Sequence, residues 1–367
     1  MTGREKWKKY LAGDYEGPMV APLCDKWDIS GIEYKWEGKG PEPYKPGDRN
    51  YNLCGQLMMA KAFGWEPLFY AGVEFLPKDK NLKVEKLSRE GKTVSVIRTP
   101  KGDLTRVDVS NGITSRCEKD FLETERDYIN MLWYTEQIID FDYEGAIAQI
   151  KKIMDTVGDA GMVGTWVSPC AFTTDIQALY FHLMDFPGIF KELCEAKRKL
   201  LKAQLDVYEK AGLDFLFYCV PGTDMISPAF YREWIRDEVK ENIEYWKRRG
   251  GFIVWHACGH IKAFVEDGSY NEMLPDILET LSEPPVGNLP SLGWARERLD
   301  RRIITKGNVP LDIILNGTED DVRHAVRKVK RETAGYRHIM GFSDCILRGT
   351  PAGNLRAFVD ESRKSVN

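Results

Sequence analysis

The sequence lacks the features that mark membrane, secreted and nucleic-acid-binding proteins. It contains no apolar run near the roughly 20 residues that a membrane-spanning helix needs. Its first residues, MTGREKWKKYLAGDYEGP, include no apolar segment of the kind found in secretory signals. The formal net charge is only −4, with acidic and basic residues interspersed, so no strong field favours nucleic acid or an anionic membrane as a partner. We therefore expect a cytoplasmic protein that binds neither.

The sequence also lacks a dense cysteine framework and the paired CxxC motifs of zinc fingers. Its eight cysteines are scattered over 367 residues, at positions 24, 54, 117, 170, 194, 219, 258 and 345. In a long chain this distribution is typical of a reducing compartment, where cysteines pack, bind metals or catalyse rather than form disulfides.

What the sequence does contain is a repeated alternation of strand and helix patterns. Hydrophobic residues make up 43% of the chain, enough for a large core. Short apolar runs, each followed by a turn and a helical pattern, are typical of strands buried on both faces of a parallel sheet. Their alternation with helices predicts an α/β fold, a single (β/α)8 barrel. The predicted strands lie within 18–25, 66–73, 161–169, 213–221, 251–259, 277–285, 302–310 and 337–345.

One segment interrupts this alternation. Residues 82–109 alternate with a period of two and carry turn signals at Gly91 and in PKGD, which predicts an antiparallel β-hairpin insertion. The residues before the first predicted strand form an N-terminal extension. No internal repeat or low-complexity linker divides the chain, so we expect one domain over residues 1–367.

The stretch WHACGH, Trp255 to His260, raises the question of a metal site. His256 and Cys258 would point to one face of a strand, because strand side chains alternate, and they lie at its C-terminal end, where barrel enzymes keep their active sites. Cys345 and Glu283 end two other predicted strands. Zinc favours thiolate, imidazole and carboxylate ligands. The pattern fits a catalytic zinc site and equally fits a packed cysteine beside a hydrogen-bonded histidine.

Longer stretches of the sequence carry a family resemblance. In chain order they are GTDMISPAFYREW (222–234), WHACGHIKAF (255–264), LETLSEPPVGN (278–288), RIITKGNVP (302–310), LNGTEDDVRHAVRK (315–328) and GFSDCILRGTPAGNLRAFVDESRK (341–364). With these motifs the chain resembles the uroporphyrinogen decarboxylase-like superfamily, and within it the zinc- and corrinoid-dependent methyltransferases. The resemblance is specific from about residue 160 onward and looser before it.

The resemblance implies a zinc site and a partner protein. In the methyltransferases of this family a histidine, a cysteine two residues on and a cysteine near the C-terminus bind zinc, and these match His256, Cys258 and Cys345. Related zinc methyltransferases add a glutamate, for which Glu283 is the best candidate and Glu279 the nearby alternative. The corrinoid-binding signature Asp-x-His-x-x-Gly is missing, so a corrinoid would arrive on a separate protein. Relatives are often dimers, which makes a homodimer one expected assembly.

A second absence argues against the decarboxylase activity of the superfamily. The uroporphyrinogen decarboxylases work without metal and hold the substrate carboxylates with an arginine-rich segment near the N-terminus. The corresponding stretch here, PMVAPLCDKWDISGIEYKWEG, contains no arginine. A metal-free decarboxylase is therefore the weaker expectation.

The leading expectation is an enzyme that demethylates a small methylated substrate, such as an aryl methyl ether, and passes the methyl group to the cobalt(I) corrinoid of a separate protein. Aromatic and apolar walls suit a small organic ligand. The substrate-binding candidates are Trp166, Tyr218, Asn308 and His260. The aromatic residues near predicted strand ends are Trp27, Trp65, Phe69, Tyr70, Trp166, Phe217 and Tyr218.

Two alternatives remain open from the sequence. Zinc also lowers the pKa of a bound thiol, so a methyl-corrinoid:thiol methyltransferase of the coenzyme M type would run the transfer in the opposite direction. A zinc-stabilised protein without turnover would instead have a closed four-ligand site and unfold on chelation.

Overall fold

The computed structural model describes residues 1–23, 29–30, 42–44, 48, 50–111, 115–172, 176–220 and 225–365. Trp27, one of the aromatic candidates, lies outside these ranges. In chain order the strands are β1 (Met19–Val20), β2 (Ile29–Ser30), β3 (Leu68–Tyr70), β4 (Glu85–Arg89), β5 (Lys92–Ile97), β6 (Leu104–Ser110), β7 (Ser115–Lys119), β8 (Met162–Val167), β9 (Phe215–Cys219), β10 (Phe252–Ala257), β11 (Ile277–Thr280), β12 (Ile304–Val309), β13 (His338–Phe342) and β14 (Thr350–Pro351).

The helices are short to medium in length, apart from a long α6. None of the helices in the described ranges is both long enough and apolar enough to span a bilayer. In chain order they are α1 (Gly3–Ala12), α2 (Tyr51–Phe63), α3 (Glu125–Ile138), α4 (Tyr143–Val157), α5 (Ile176–Asp185), α6 (Pro187–Ala211), α7 (Pro228–Trp234), α8 (Arg236–Lys247), α9 (Lys262–Glu266), α10 (Ser269–Met273), α11 (Leu292–Arg298), α12 (Leu311–Asn316), α13 (Glu319–Glu332) and α14 (Ala352–Arg363).

The chain divides into two compact units, and the first of them is a barrel. It comprises residues 1–72, 152–167 and 213–367. Within the described residues its main sheet has eight parallel strands in the order β1-β13-β12-β11-β10-β9-β8-β3. Glu66 N, just before β3, donates a hydrogen bond of 2.8 Å to Val20 O in β1, which links the two ends of this order. All eight predicted strands are present, and the (β/α)8 prediction is confirmed.

Alternate side chains of the barrel strands fill the interior. Phe215 and Phe217 of β9 and Phe252 and Val254 of β10 belong to one buried apolar cluster, as strand periodicity requires. The cluster also contains Met19, Leu68, Met162, Ile277, Ile304 and Ile339 from the other strands.

The N-terminal helix α1 caps one end of this interior. Its Trp7 and Tyr10 pack against the interior cluster. The Arg4 guanidinium forms two hydrogen bonds, of 2.8 and 2.7 Å, with the Asp214 carboxylate just before β9. Tyr10 Oη donates to His338 O at the start of β13, at 2.9 Å. The predicted N-terminal extension therefore covers the N-terminal ends of the strands, and the C-terminal ends are left for a site.

The second unit comprises residues 73–151 and 168–212. Its described strands form an antiparallel sheet in the order β4-β5-β6-β7. The predicted insertion at 82–109 is confirmed, and the sheet continues beyond it to Lys119. Ile97 and Leu104 of the sheet pack with Tyr134 of α3 in a small core. The expectation of one domain over 1–367 stays a prediction.

Candidate metal centre

The candidate site is built on the end of β10. This strand, FIVWHA, is buried at every position, and its β-branched and aromatic residues favour the extended conformation. Because Phe252 and Val254 face the interior, His256 faces it as well. Cys258 follows one residue after the strand ends and is half-buried. The HxC motif thus lies at the C-terminal end of a barrel strand, as predicted.

Three side chains with metal-binding atoms meet at this point. In the described part of the chain, one ligand atom each from His256, Cys258 and Asp344 lie within 4.8 Å of one another. Asp344 is two residues past the end of β13. A nitrogen, a sulfur and an oxygen donor at this spacing fit one tetrahedral zinc ion, whose ligand bonds are about 2.0–2.3 Å long.

A row of buried charged groups orients His256. The parallel register aligns His256 of β10, Glu279 of β11 and Lys306 of β12. His256 Nδ1 donates to Glu279 Oε1 at 2.7 Å, and Lys306 Nζ donates to Glu279 Oε2. The three residues are only 7%, 1% and 3% exposed. This buried charge row fixes the imidazole orientation, in the way that carboxylates beside metal-binding histidines do.

The electrostatics of the row favour its charged forms. Burial opposes protonation of His256, but the adjacent Cys258 and Glu279 outweigh it and raise the pKa of His256 to about 10. Burial alone would raise the pKa of Glu279, yet the charges of Lys306 and His256 bring it below its usual value. Glu279 is therefore a carboxylate held between two cationic partners.

Cys219 is a residue of this site that the sequence analysis did not select. It ends β9 and stands beside His256 in the register. Burial, followed by the charges of Cys258, Glu279 and Asp344, raises the pKa of Cys219 to about 12. Its thiol is therefore neutral at pH 7 and forms part of the wall. The alternation of Phe215, Phe217 and Cys219 along β9 is the sequence signal that could have predicted an inward-facing Cys219 side chain.

The structure places the other two predicted ligands differently. Strand β13 ends at Phe342, so strand alternation does not extend to Cys345. Cys345 is half-buried and packs against the interior cluster, and its backbone N donates to Asp344 Oδ1 at 2.6 Å. Among the described residues, the group within 4.8 Å contains Asp344 and not Cys345. Zinc ligation by Cys345 stays a prediction.

Glu283 lies away from the charged row. Strand β11 was expected to reach residue 285 but ends at Thr280, because Thr280 and Leu281 adopt positive φ angles of 77° and 53°, which extended strands do not allow. Glu283 Oε2 accepts a hydrogen bond of 2.6 Å from Lys328 Nζ of α13. The acidic residue that meets His256 is Glu279, the nearby alternative.

Two of the aromatic candidates lie beside His256. The Trp166 ring centroid is 6.1 Å from that of His256 and 4.1 Å from that of Phe217. Phe217 is itself 5.3 Å from His256. Trp166 is 45% exposed although the other residues of β8 are buried. An exposed indole beside the candidate ligand is suited to contact a small molecule.

The remaining substrate candidates are placed less favourably. Tyr218 is fully buried and, between the inward-facing Phe217 and Cys219, points out of the barrel, where its hydroxyl accepts from Asn242 Nδ2 at 3.1 Å. Asn308 Nδ2 donates to Leu281 O at 2.9 Å and braces the end of β11. His260 is exposed, two residues beyond Cys258. Trp65 and Phe69 are core residues.

Together the fold and the site define an α/β barrel protein with a candidate metal centre at the C-terminal ends of its strands. Residues 147–365, more than half of the chain, match the family model described as Uroporphyrinogen decarboxylase (URO-D). The chain belongs to this family, and the predicted superfamily is confirmed.

Individual relatives are distant. A uroporphyrinogen decarboxylase from Coxiella burnetii is 22% identical over 236 residues, which cover 61% of this chain and 63% of the relative. One from Prochlorococcus marinus is 32% identical over 97 residues, covering 25% of this chain and 27% of the relative. The chain thus spans less than two thirds of the curated relatives it matches. A solved methyltransferase from Methanosarcina mazei shares the fold, with a TM-score of 0.60 at 14% identity over 99% of this chain and 98% of that one.

Proposed function

We propose that this protein is a zinc-dependent methyltransferase. It would move a methyl group from a small methylated organic substrate, such as an aryl methyl ether, to the cobalt(I) corrinoid of a separate protein. The observation that carries the proposal is the meeting of His256, Cys258 and Asp344 within 4.8 Å at the C-terminal ends of barrel strands.

The donor set supports zinc over harder cations. Thiolate and imidazole are preferred zinc ligands, whereas magnesium and calcium favour oxygen donors alone. His256 and Cys258 would hold the ion, with Asp344 or Cys345 as a third ligand. A zinc ion there would supply Lewis-acid polarisation of the ether oxygen of the substrate.

The residues around the ligands prepare the site for this chemistry. Nδ1 of His256 donates to Glu279, so Nε2 is the nitrogen left for the metal, which would replace the proton that the raised pKa of His256 keeps there in the metal-free protein. Lys306 offsets the charge of Glu279 inside the barrel. Trp166 and Phe217 lie beside the His256 ring, with ring centroids 6.1 and 5.3 Å from it.

Charge also supports methyl transfer over porphyrinogen decarboxylation. A substrate with many carboxylates needs several cations in its pocket. Lys306 of the charged row is already paired with Glu279, so it is not available to a substrate carboxylate. The stretch at residues 18–38 has no arginine. The family model and the curated relatives nevertheless make decarboxylation the second candidate, and the test includes it.

The first experiment measures zinc by elemental analysis in the purified protein. We expect about one zinc per chain, as in catalytic sites, and loss of zinc in Cys258→Ala. Comparing Asp344→Ala with Cys345→Ala identifies the third ligand. Cys117→Ala, at an exposed cysteine of β7, is the matched control and should keep its zinc. Absence of zinc from the unaltered protein, under reducing and metal-replete conditions, would contradict the proposal.

The second experiment assigns the reaction. The protein is mixed with a cobalt(I) corrinoid protein and an aryl methyl ether, and methyl-cobalt formation is followed by absorbance. Methyl transfer only from methyl-corrinoid to a thiol would identify the coenzyme M type of reaction instead. Release of carbon dioxide from uroporphyrinogen without metal would identify a decarboxylase.

A further inference from the structure

A groove of about 750 Å³ lies at the N-terminal ends of β3 and β8, at the opposite end of the barrel strands from His256. Its walls include the start of α1, part of α2, the segment between α2 and β3, and the last residue of α14. All of these residues belong to the barrel unit. Ligand pockets in proteins have volumes of roughly 300–1,000 Å³, so the groove is large enough for a small organic molecule.

One wall of the groove is apolar. Leu57 and Met58 of α2 are only half-buried although they are apolar, and both line the groove. Trp65, just after α2, lines it as well. The Trp65 ring stacks on that of Phe63, with centroids 5.1 Å apart and planes 7° from parallel, which fixes the orientation of the indole. The wall is therefore a preformed surface on which an apolar group would be removed from water.

Two cations and one carboxylate meet beside this apolar wall. Glu66 Oε1 accepts hydrogen bonds from Lys6 Nζ at 2.5 Å and from Arg363 Nη2 at 2.8 Å, and Glu66 Oε2 accepts one from Val20 N at 2.9 Å. The side chains of Lys6, Arg363 and Glu66 are 12%, 36% and 8% exposed. Among the described residues that line the groove, Glu66 is the one acidic side chain. The cluster therefore has one positive charge in excess.

This excess charge favours an anion as the ligand. Charges that are partly buried interact more strongly than exposed ones, because water and salt screen them less. An ammonium has three donor hydrogens and a guanidinium has five, so Lys6 and Arg363 can both donate to a ligand while they remain bonded to Glu66. A single carboxylate would neutralise the excess. Lys61 of α2, which also lines the groove, is exposed and adds a second, solvated cation.

We propose that this groove binds a small carboxylate with an elongated apolar body. The carboxylate would lie beside Lys6 and Arg363, and the apolar body would pack along α2 and Trp65. The ligand is not the substrate of the proposed methyl transfer, because the groove lies at the end of the barrel strands where residues serve stability and not catalysis. The proposal is therefore independent of zinc and of the reaction at His256.

Calorimetric titration of the whole chain with two probes tests the proposal. The probes are 6-phenylhexanoate and its amide, 6-phenylhexanamide, which share the apolar body and differ in the charge of the head group. We expect the carboxylate to bind about tenfold more tightly, because hydrogen bonds to a charged group are worth more than those to a neutral one. The preference should decrease at high salt.

Substitutions in the charged cluster should change the preference in opposite directions. Lys6→Met and Arg363→Met each remove the excess positive charge, and each should reduce the tenfold preference to near equality by weakening the carboxylate alone. Glu66→Gln keeps an oxygen that can accept from Val20 N and removes the internal negative charge. It should therefore bind the carboxylate several-fold more tightly than the unaltered protein does, with the affinity for the amide unchanged.

Two further variants test the apolar wall and the specificity of the effect. Met58→Gln has nearly the same shape and is polar, so it should weaken both probes by a similar factor and leave the preference intact. Lys9→Met removes an exposed lysine of the same helix as Lys6, and Lys9 does not line the groove. This matched control should bind both probes as the unaltered protein does.

The outcomes are distinct from those for the proposed function. Equal affinity for the two probes, no binding of either, or an unchanged preference in folded Lys6→Met and Arg363→Met would overturn the proposal. If these two variants fail to fold, weaker carboxylate binding by folded Glu66→Gln would overturn it as well. Charge-selective binding in a protein that takes up no zinc would remove the proposed function and keep the groove. Zinc uptake without such binding would do the reverse.

Discussion

Two glutamates four residues apart, Glu279 and Glu283, have opposite surroundings. Glu279 is 1% exposed and is held by His256 and Lys306 inside the barrel. The Glu283 side chain is 23% exposed and pairs with Lys328, whose side chain is 46% exposed. Both are carboxylates with a lysine partner, so residue type does not distinguish them. Their difference lies in burial and in the strand register.

The comparison shows that the contribution of an ion pair to stability depends on its burial. A buried charge is expensive to leave alone, so each member of the charged row depends on the others. A surface pair is screened by water and contributes little. Glu279 can therefore hold His256 in one orientation, whereas Glu283 connects the segment after β11 to α13 only weakly. Matched substitutions at the two pairs test this difference.

The largest effect is expected for Lys306→Met. Removing the ammonium leaves the Glu279 carboxylate buried with His256 as its remaining charged partner. Loss of one partner of a buried pair costs about 3–5 kcal/mol, and we expect this decrease in the free energy of unfolding, measured by chemical denaturation. Lys328→Met is the matched surface control.

A double substitution sharpens the same prediction. Lys306→Met with Glu279→Leu removes both charges, and a buried ion pair replaced by apolar residues is often nearly neutral. The double variant should therefore be more stable than Lys306→Met alone. Additive losses in the double variant would show that the two side chains do not act as a pair.

The next effect concerns metal affinity. Glu279→Gln keeps the size of the side chain and removes the charge that orients His256. Loss of such a partner typically weakens metal binding by 10–100-fold, and we expect a decrease of about this size in a zinc competition titration with a chromophoric chelator. Zinc affinity equal to that of the unaltered protein would mean that Glu279 does not orient a ligand.

Much of the fold could be predicted from the sequence because each barrel strand carries its own local signal. The eight buried runs and the two-residue alternation of the insertion depend on neighbours in the chain. The strand ends were less predictable. Thr280 and Leu281 leave the extended conformation in the middle of an apolar run. Neither threonine nor leucine is a residue type that predicts a positive φ angle. The sequence therefore predicts Glu283 at the end of β11, whereas the strand ends three residues earlier, at Thr280.

In the candidate site, only the residues that belong to one strand pattern could be predicted from the sequence. His256 and Cys258 share a strand pattern, and both reach the site. Asp344, Cys219 and Lys306 come from three other strands or their ends, and their proximity depends on the register between strands. A single sequence contains no direct record of register. For this reason the sequence alone does not decide whether Glu279 or Glu283 is the acidic residue beside His256.

The smallest effect is expected at the surface pair. Glu283→Gln breaks the contact with Lys328, which is worth about 0.2–1 kcal/mol at an exposed site. We expect a change in the free energy of unfolding within that range, smaller still at high salt because ions screen the pair. Zinc affinity should stay at the level of the unaltered protein, in contrast to Glu279→Gln. A loss of zinc in Glu283→Gln as large as in Glu279→Gln would return Glu283 to the metal centre, and it would require the segment after Thr280 to move inward when the metal binds.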